Sequence, residues 1–253
     1  MTIAVTWWGH ATATVETGGT RVVTDPVLGD RLLHLKRYAV TPAREAVEAD
    51  LVLISHLHHD HCHVPSLARF GAEVPILVPR GGEKLLAGIA GDRVVPVVPG
   101  DVVERAGVRI EVLPATHDGR RHPWSRERPP PPPLGFRVEG ATGSWWFPGD
   151  TELRDDMDDV EPVDLALVPI GGWGPTLEDG HMHPEHAVEA VARVGARWAV
   201  PVHWGTFWPA GLRMIARANH QRLFTTPGQR FAEAMAGSPT EAVVVAPGVR
   251  VER

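Results

Sequence analysis

Short apolar runs of β-branched and aliphatic residues, bounded by Gly, Pro, Asp and Thr, recur along the chain, and stretches with helical spacing are interleaved with them in the later part. Runs of this length and composition predict strands near 3–8, 12–16, 21–24, 51–55, 75–78, 93–98, 108–115, 135–139, 144–147, 164–169, 198–202 and 242–246. Helices are expected near 64–70, 82–89, 184–194, 210–219 and 228–236. In the third of these five, Pro184 suits a first turn, and Ala187, Val188, Val191, Ala192 and Val194 fall at near-helical spacing for packing on a sheet. Patterning alone therefore gives an α/β fold, with no fixed-period repeat.

Several apolar runs end in the same way. Leu51–Ser55 passes directly into His56, Leu57, His58, His59, Asp60 and His61. An uninterrupted apolar run reads as a buried strand, so the imidazoles emerge where a sheet ends and a loop begins. Packed so closely, they repel one another when protonated and are costly to desolvate unless a cation binds them. Side chains alternate along an extended segment, so His56 and His58 face one ion while His59 points away. A turn after His59 redirects Asp60 and His61 to a second position, giving two ions about 3.5–4 Å apart. Val108–Ala115 likewise leads to His117, Ser144–Phe147 to Asp150, and Trp198–Val202 to His203.

These residues, in this order, resemble the metallo-β-lactamase-fold hydrolases: Thr24-Asp25-Pro26, the His56–His61 motif, His117, Gly149-Asp150-Thr151 and His203. Within that superfamily the chain looks most like the branch of L-ascorbate-6-phosphate lactonase and N-acyl-phosphatidylethanolamine-hydrolysing phospholipase D. The branch markers are Trp8-Gly9-His10-Ala11, His181-Met182-x-Pro184-Glu185 and His203-Trp204-Gly205-Thr206-Phe207. The resemblance spans residues 5 to 208 and implies a four-layer αββα sandwich. It implies His56, His58 and His117 on one metal, Asp60, His61 and His203 on the other, and Asp150 bridging both. It also implies that Asp25 accepts a ligand's ring N–H and that His181, with Asp60 and Asp150, takes part in catalysis, His181 as general acid. A turn residue at Asp25 and a helix-start residue at His181 are the ordinary alternatives.

Composition bounds the reading without proving it. The chain has 253 residues, 43% of them hydrophobic, enough for one full domain spanning 1–253. A formal charge of −6 disfavours an extended nucleic-acid face. No apolar stretch approaches a membrane span, the first strand begins by Ile3 with no room for a signal peptide, and a cytoplasmic protein is expected. Cys62, the sole cysteine, reads as a small buried residue rather than a ligand. Arg120, Arg121, Arg126 and Arg128 cluster after His117 and run into Pro129–Pro133, so residues 118–133 read as a Pro/Arg-rich inserted loop beside the metal mouth. Arg120 and Arg121 are candidates to grip a substrate phosphate or carboxylate, against the alternative of a solvated loop.

Trp7, Trp8, Trp145, Trp146, Trp173, Trp204 and Trp208 lie near the site loops in sequence, most of them expected in the core. Phe207, Trp208, Leu212, Met214 and Ile215 are expected to pack as helix on sheet rather than to face a membrane. The expected activity is hydrolysis by a metal-bridging hydroxide, on a phosphodiester of a small-molecule or lipid-like substrate ahead of a lactone. Zinc is the first expectation for the two divalent ions, with manganese or iron compatible with the carboxylates. A di-iron redox enzyme would carry glutamate in place of His58, and a non-catalytic metal-binding module is the remaining alternative. Oligomeric state is left open.

Overall fold

The computed structural model describes residues 2–122, 124–125, 129–172, 177 and 179–253, apart from the Ala90 side chain. Arg126, Arg128 and Trp173 lie outside the described residues. In chain order the strands are β1 (Ile3–Gly9), β2 (Thr12–Thr17), β3 (Thr20–Thr24), β4 (Arg31–Leu32), β5 (Leu35–Arg37), β6 (Leu51–Leu53), β7 (Ile76–Pro79), β8 (Val94–Val97) and β9 (Val102–Arg105). They continue with β10 (Val108–Pro114), β11 (Leu134–Gly140), β12 (Gly143–Phe147), β13 (Leu165–Pro169), β14 (Trp198–Val202), β15 (Phe207–Pro209), β16 (Glu241–Ala242) and β17 (Arg250–Glu252). The helices are α1 (Val64–Leu67), α2 (Glu83–Ala90), α3 (Pro184–Val194), α4 (Leu212–Ile215), α5 (Arg217–His220) and α6 (Pro227–Ala234).

One mixed sheet has the order β17-β1-β2-β3-β6-β7-β8, and a second has β16-β14-β13-β12-β11-β10-β9. Alternation decides how they pack. On β6, Leu51 and Leu53 join Val5, Trp7, Phe136 and Val200 in the apolar layer between the sheets. Val52 and Ile54 point the other way, into a layer with Leu67 of α1 and Leu86 of α2. On the far side, Ala166 and Val168 of β13 meet α3 and α6. This is the expected αββα sandwich.

The α3 stripe is corrected in detail: Ala187, Ala190, Val191 and Val194 are buried, whereas Ala192 is exposed and Val188 only half-buried. A spacing of three, four and seven residues selects Ala190 over Ala192. Gly195, at φ 64, ends the helix in the left-handed conformation that glycine adopts without strain.

Further elements depart from the pattern-based expectation, β9 and β17 being strands it did not include. The helix expected over 210–219 is broken into α4 and α5, followed by a π-helical turn at Gln221–Thr225. The strand expected over 242–246 shrinks to β16. Finally, β15, β5 and β4 form a small third sheet, through the pairs Phe207↔Arg37 and Leu35↔Pro209, that no periodicity announced. Arg37 locks it down: its guanidinium lies 4.6 Å from the Phe207 ring centroid and donates to the carbonyls of Gly29, Trp8 and Val27. Among the described residues, no helix is long and apolar enough to cross a membrane.

Candidate metal centre

Five strand ends deliver the site. β3 ends at Asp25, β6 at Ser55 and the histidine run, β10 ahead of His117, β12 ahead of Asp150, and β14 at His203. The structure brings all seven candidate ligands together. His56 Nε2 lies 3.0 Å from His58 Nδ1, which lies 3.2 Å from His117 Nε2. His61 Nε2 lies 3.0 Å from His203 Nε2, with Asp60 Oδ2 at 3.7 Å from the former and 3.9 Å from the latter. Asp150 Oδ2 is 3.2 Å from both His61 Nε2 and His203 Nε2, and a carboxylate oxygen of Asp150 also lies within 4.8 Å of ligand nitrogens of His56 and His117 in the other group. His59 turns away and meets Arg121 Nη2 at 2.8 Å.

The donor set fits divalent cations. A metal–nitrogen bond of about 2.0–2.1 Å places neighbouring ligand atoms roughly 3.0–3.4 Å apart, the separations among the histidine nitrogens and Asp150, with Asp60 standing farther out. The far ring nitrogens are also committed. His117 Nδ1–H donates to Gly180 O at 3.0 Å and His203 Nδ1–H to Gly171 O at 2.8 Å, so each Nε2 presents a lone pair to the cluster. His61 Nδ1 meets Asp25 Oδ2 at 2.7 Å, and Asp25 also accepts Ser55 N and Ser55 Oγ–H. Ser55 Oγ is in turn 3.0 Å from His56 Nδ1, so Asp25 and Ser55 orient one histidine of each group.

Electrostatics divides the cluster. Burial holds His56 and His203 well below the ordinary imidazole range and lowers His117 to about 4. Burial works against the charge of His61 too, yet Asp150, Asp60 and Asp25 around it raise it well above that range. Burial alone would raise Asp150, but His203 and His61 hold it well below the usual carboxylate range. Asp60 is held low in the same way, by His61 and by the 2.9 Å contact with His10 Nε2. Three buried carboxylates converging on histidine nitrogens call for positive charge.

Backbone conformation carries the same signal. His10, Asp25 and His203 have φ of 53°, 35° and 63°, a region that residues other than glycine rarely occupy and that clusters where geometry is imposed. Gly149 and Gly180 have no alternative residue: a Cβ at Gly149 would sit 2.6 Å from Ser55 Cβ, and one at Gly180 would sit 2.7 Å from His117 Nδ1.

Sequence reasoning passed over His10, Ser55, Gly171 and Gly180. His10 stood in a quoted motif without a role, and Ser55 stood beside His56. The glycine carbonyls had no side chain to notice.

His181 reaches the centre, with Nε2 at 3.3 Å from Asp150 Oδ2 and its ring 4.8 Å from that of His117. His183 is turned outward to Glu185. The two loop arginines are held differently. Arg121 donates to Leu57 O at 2.9 Å, His58 O at 3.4 Å and Cys62 O at 2.5 Å, so its fork is spent on carbonyls of the histidine loop rather than turned to a substrate. The reason is local: a loop that leaves a strand abruptly exposes carbonyls lacking ladder partners, and guanidinium matches several at once. Arg120 pairs loosely with Asp118 at 3.7 Å. Cys62 is fully buried and is not among the converging groups.

An αββα sandwich with a histidine–aspartate cluster where its strands end is the architecture of metal-dependent hydrolases. The chain belongs to the metallo-β-lactamase superfamily, its residues 20–204 matching the family described as "Beta-lactamase superfamily domain". It is 31% identical to a UPF0173 metal-dependent hydrolase of Nitratidesulfovibrio vulgaris (strain DP4), over 90% of this chain and 95% of that protein. It is 32% identical to N-acyl-phosphatidylethanolamine-hydrolyzing phospholipase D 1 of Caenorhabditis elegans, over 80% of this chain but 64% of that protein. The solved structure of Igni18, a novel metallo hydrolase from Ignicoccus hospitalis KIN4/I, superposes with a TM-score of 0.73 at 20% identity, covering 100% of this chain and 99% of that one.

Proposed function

We propose that this metal-dependent hydrolase is a dinuclear phosphodiesterase acting on a small-molecule or lipid-like diester. The observation that carries the reading is the position of Asp150, which offers a carboxylate oxygen within 4.8 Å of ligand nitrogens of His56 and His61 and of His117 and His181, and so stands beside both histidine groups. One ion would be held by His56, His58 and His117, the other by Asp60, His61 and His203, with Asp150 shared. When bound, such ions supply a nucleophile from water at neutral pH and polarise the bond to be cleaved.

The side chains do the rest. Asp25 and Ser55 fix the tautomers that aim His61 and His56, His10 holds Asp60, and the carbonyls of Gly180 and Gly171 aim His117 and His203. His181, half-buried with Nε2 beside Asp150, would protonate the departing oxygen, its Nε2–H passing from the Asp150 carboxylate to the leaving group when substrate is in place. The C. elegans relative, named for a phospholipase D activity, supports a phosphodiester over a lactone. Imidazole-rich donors favour Zn2+, with Mn2+ or Fe tolerated by the carboxylates.

The test is an activity screen on metal-quantified protein with a chromogenic phosphodiester and an acyl lactone. We expect two metal equivalents per chain, turnover of the diester, and loss of that turnover in His58→Ala and Asp150→Ala. Full activity in either variant rejects the scheme, and turnover confined to the lactone moves the reaction to acyl chemistry.

A further inference from the structure

The small third sheet does more than cover Phe207. We propose that β4, β5, β15 and α4 form a docking platform for an anionic phospholipid bilayer. This inference does not depend on the reaction proposed above.

The first observation is apolar. Met214 and Ile215, expected to pack onto the sheet, are 75% and 81% exposed, and Leu33 at the tip of the β4–β5 hairpin is 70% exposed. These three are neighbours by topology: Leu35 pairs with Pro209, and Ala210 N donates to His34 O at 3.3 Å, so the hairpin tip adjoins the segment that enters α4. Phe207 and Trp208, by contrast, are buried. Large exposed aliphatic side chains on adjoining segments gain from leaving water when they enter an acyl layer.

The second observation is charge. In a chain of net charge −6, neither residues 31–44 nor residues 190–232 contain a single Asp or Glu. Arg31, Lys36, Arg213, Arg217 and Arg222 are exposed, and none has an ion-pair partner among the described residues. Arg193, Arg197 and Arg230 of the second segment are by contrast paired with carboxylates, as are Arg250 and Arg253 at the chain's end. Lys36 Nζ and Arg213 Cζ both approach the Tyr38 ring, at 5.6 and 5.9 Å from its centroid, so the cations of hairpin and helix converge. The acid nearest in sequence, Asp30, accepts a hydrogen bond from Thr41.

Lys36 and Arg213, unpaired on the same hairpin and helix that carry the exposed aliphatic tips, are the chemistry of a surface that inserts shallowly among anionic headgroups. An acidic protein partner would meet the cations but would leave Leu33, Met214 and Ile215 without a role. The platform is also placed to matter to the site: Phe207 stacks edge-on against His10 at 5.5 Å, and His10 holds Asp60. A docked bilayer would lie against the wall behind the cluster.

The test is co-sedimentation of the metal-loaded full chain with phosphatidylcholine vesicles, with and without a third of phosphatidylglycerol. We expect at least tenfold stronger association with the anionic vesicles. Lys36→Glu with Arg213→Glu should weaken it by about fivefold or more per cation, with strong salt dependence. Met214→Asp with Ile215→Asp should also weaken it about tenfold, with the melting temperature and turnover of a soluble diester kept at wild-type values. Equal binding to both vesicle types, or none, overturns the proposal. So does loss through the charge variant but not the aliphatic one, which would mark an electrostatic surface for an acidic protein. Turnover of the soluble diester without vesicle binding rejects the platform alone and leaves the hydrolase reading intact.

Discussion

Arg121 and Leu57 are joined across 64 residues by a hydrogen bond of 2.9 Å from guanidinium Nη1 to carbonyl oxygen. The same fork takes Cys62 O and lies against His59 Nδ1, so Arg121 grips the turn that separates His58 from Asp60. Arg121→Ala should therefore lower metal occupancy and kcat together, by about tenfold, with Arg121→Lys recovering only part. Metal analysis beside steady-state kinetics checks this. A raised KM with normal metal content would instead return Arg121 to substrate binding.

Asp25, directly at His61 and through Ser55 at His56, is the hub that aims one candidate ligand of each group. Asp25→Asn and Ser55→Ala should each weaken metal binding by about 10–100-fold. Competition against a coloured chelator measures it. Unchanged affinity in both variants would show that ring orientation is set elsewhere.

A Cβ at residue 180 would collide with His117 Nδ1, and φ of 84° there disfavours any side chain. Gly180→Ala should displace His117 and cut turnover at least tenfold, with a smaller change in melting temperature than a core truncation produces. Wild-type kcat in this variant would argue that His117 is not a ligand.

Much of this site was legible before any coordinates, and the reason is geometric. Period-two burial along Leu51–Ile54 fixes the direction in which the chain leaves the sheet, so residues just beyond the strand are delivered to one place. His56, His58 and His203 follow from that rule. Arg121 does not, because its partners are backbone carbonyls, which every residue owns and no sequence marks. The three-residue pairing of Leu35–Arg37 with Phe207–Pro209 is too short to show alternation, and it depends on a contact between segments far apart in the chain. Met214 and Ile215 were misread because aliphatic residues at helical spacing look the same whether a core or a solvent face lies beside them.

Acid should destabilise the chelator-treated protein. Burial lowers His117 to about 4 and His63 to about 4, against 6.5 for an ordinary imidazole. Between those values the unfolded chain binds more protons than the folded one, so stability is full above pH 6.5 and falls as pH drops towards 4. His61, raised well above 6.5, opposes this by stabilising the fold below that pH, but it stands against the lowered His56, His58 and His203 as well. Urea midpoints at several pH values test the slope, and His63→Gln should flatten it. A midpoint that does not decline from pH 6.5 to 4 contradicts the assignment.

Cys62 is fully buried and burial pushes its thiol up to about 12. A disulfide-exchange reagent at pH 8 should find no reactive thiol in the native protein and one equivalent after denaturation. Rapid labelling of the native chain would mean that the histidine turn opens.

His56, His58, Asp60 and His61 hang from the first large sheet, and His117, Asp150 and His203 from the second. Each ion would thus act as a rivet between the two halves of the sandwich. Any slippage of one half over the other would spoil both ligand sets at once. Natural variation is then free to reshape the outer loops and the substrates they admit, while the seam keeps the chemistry in register.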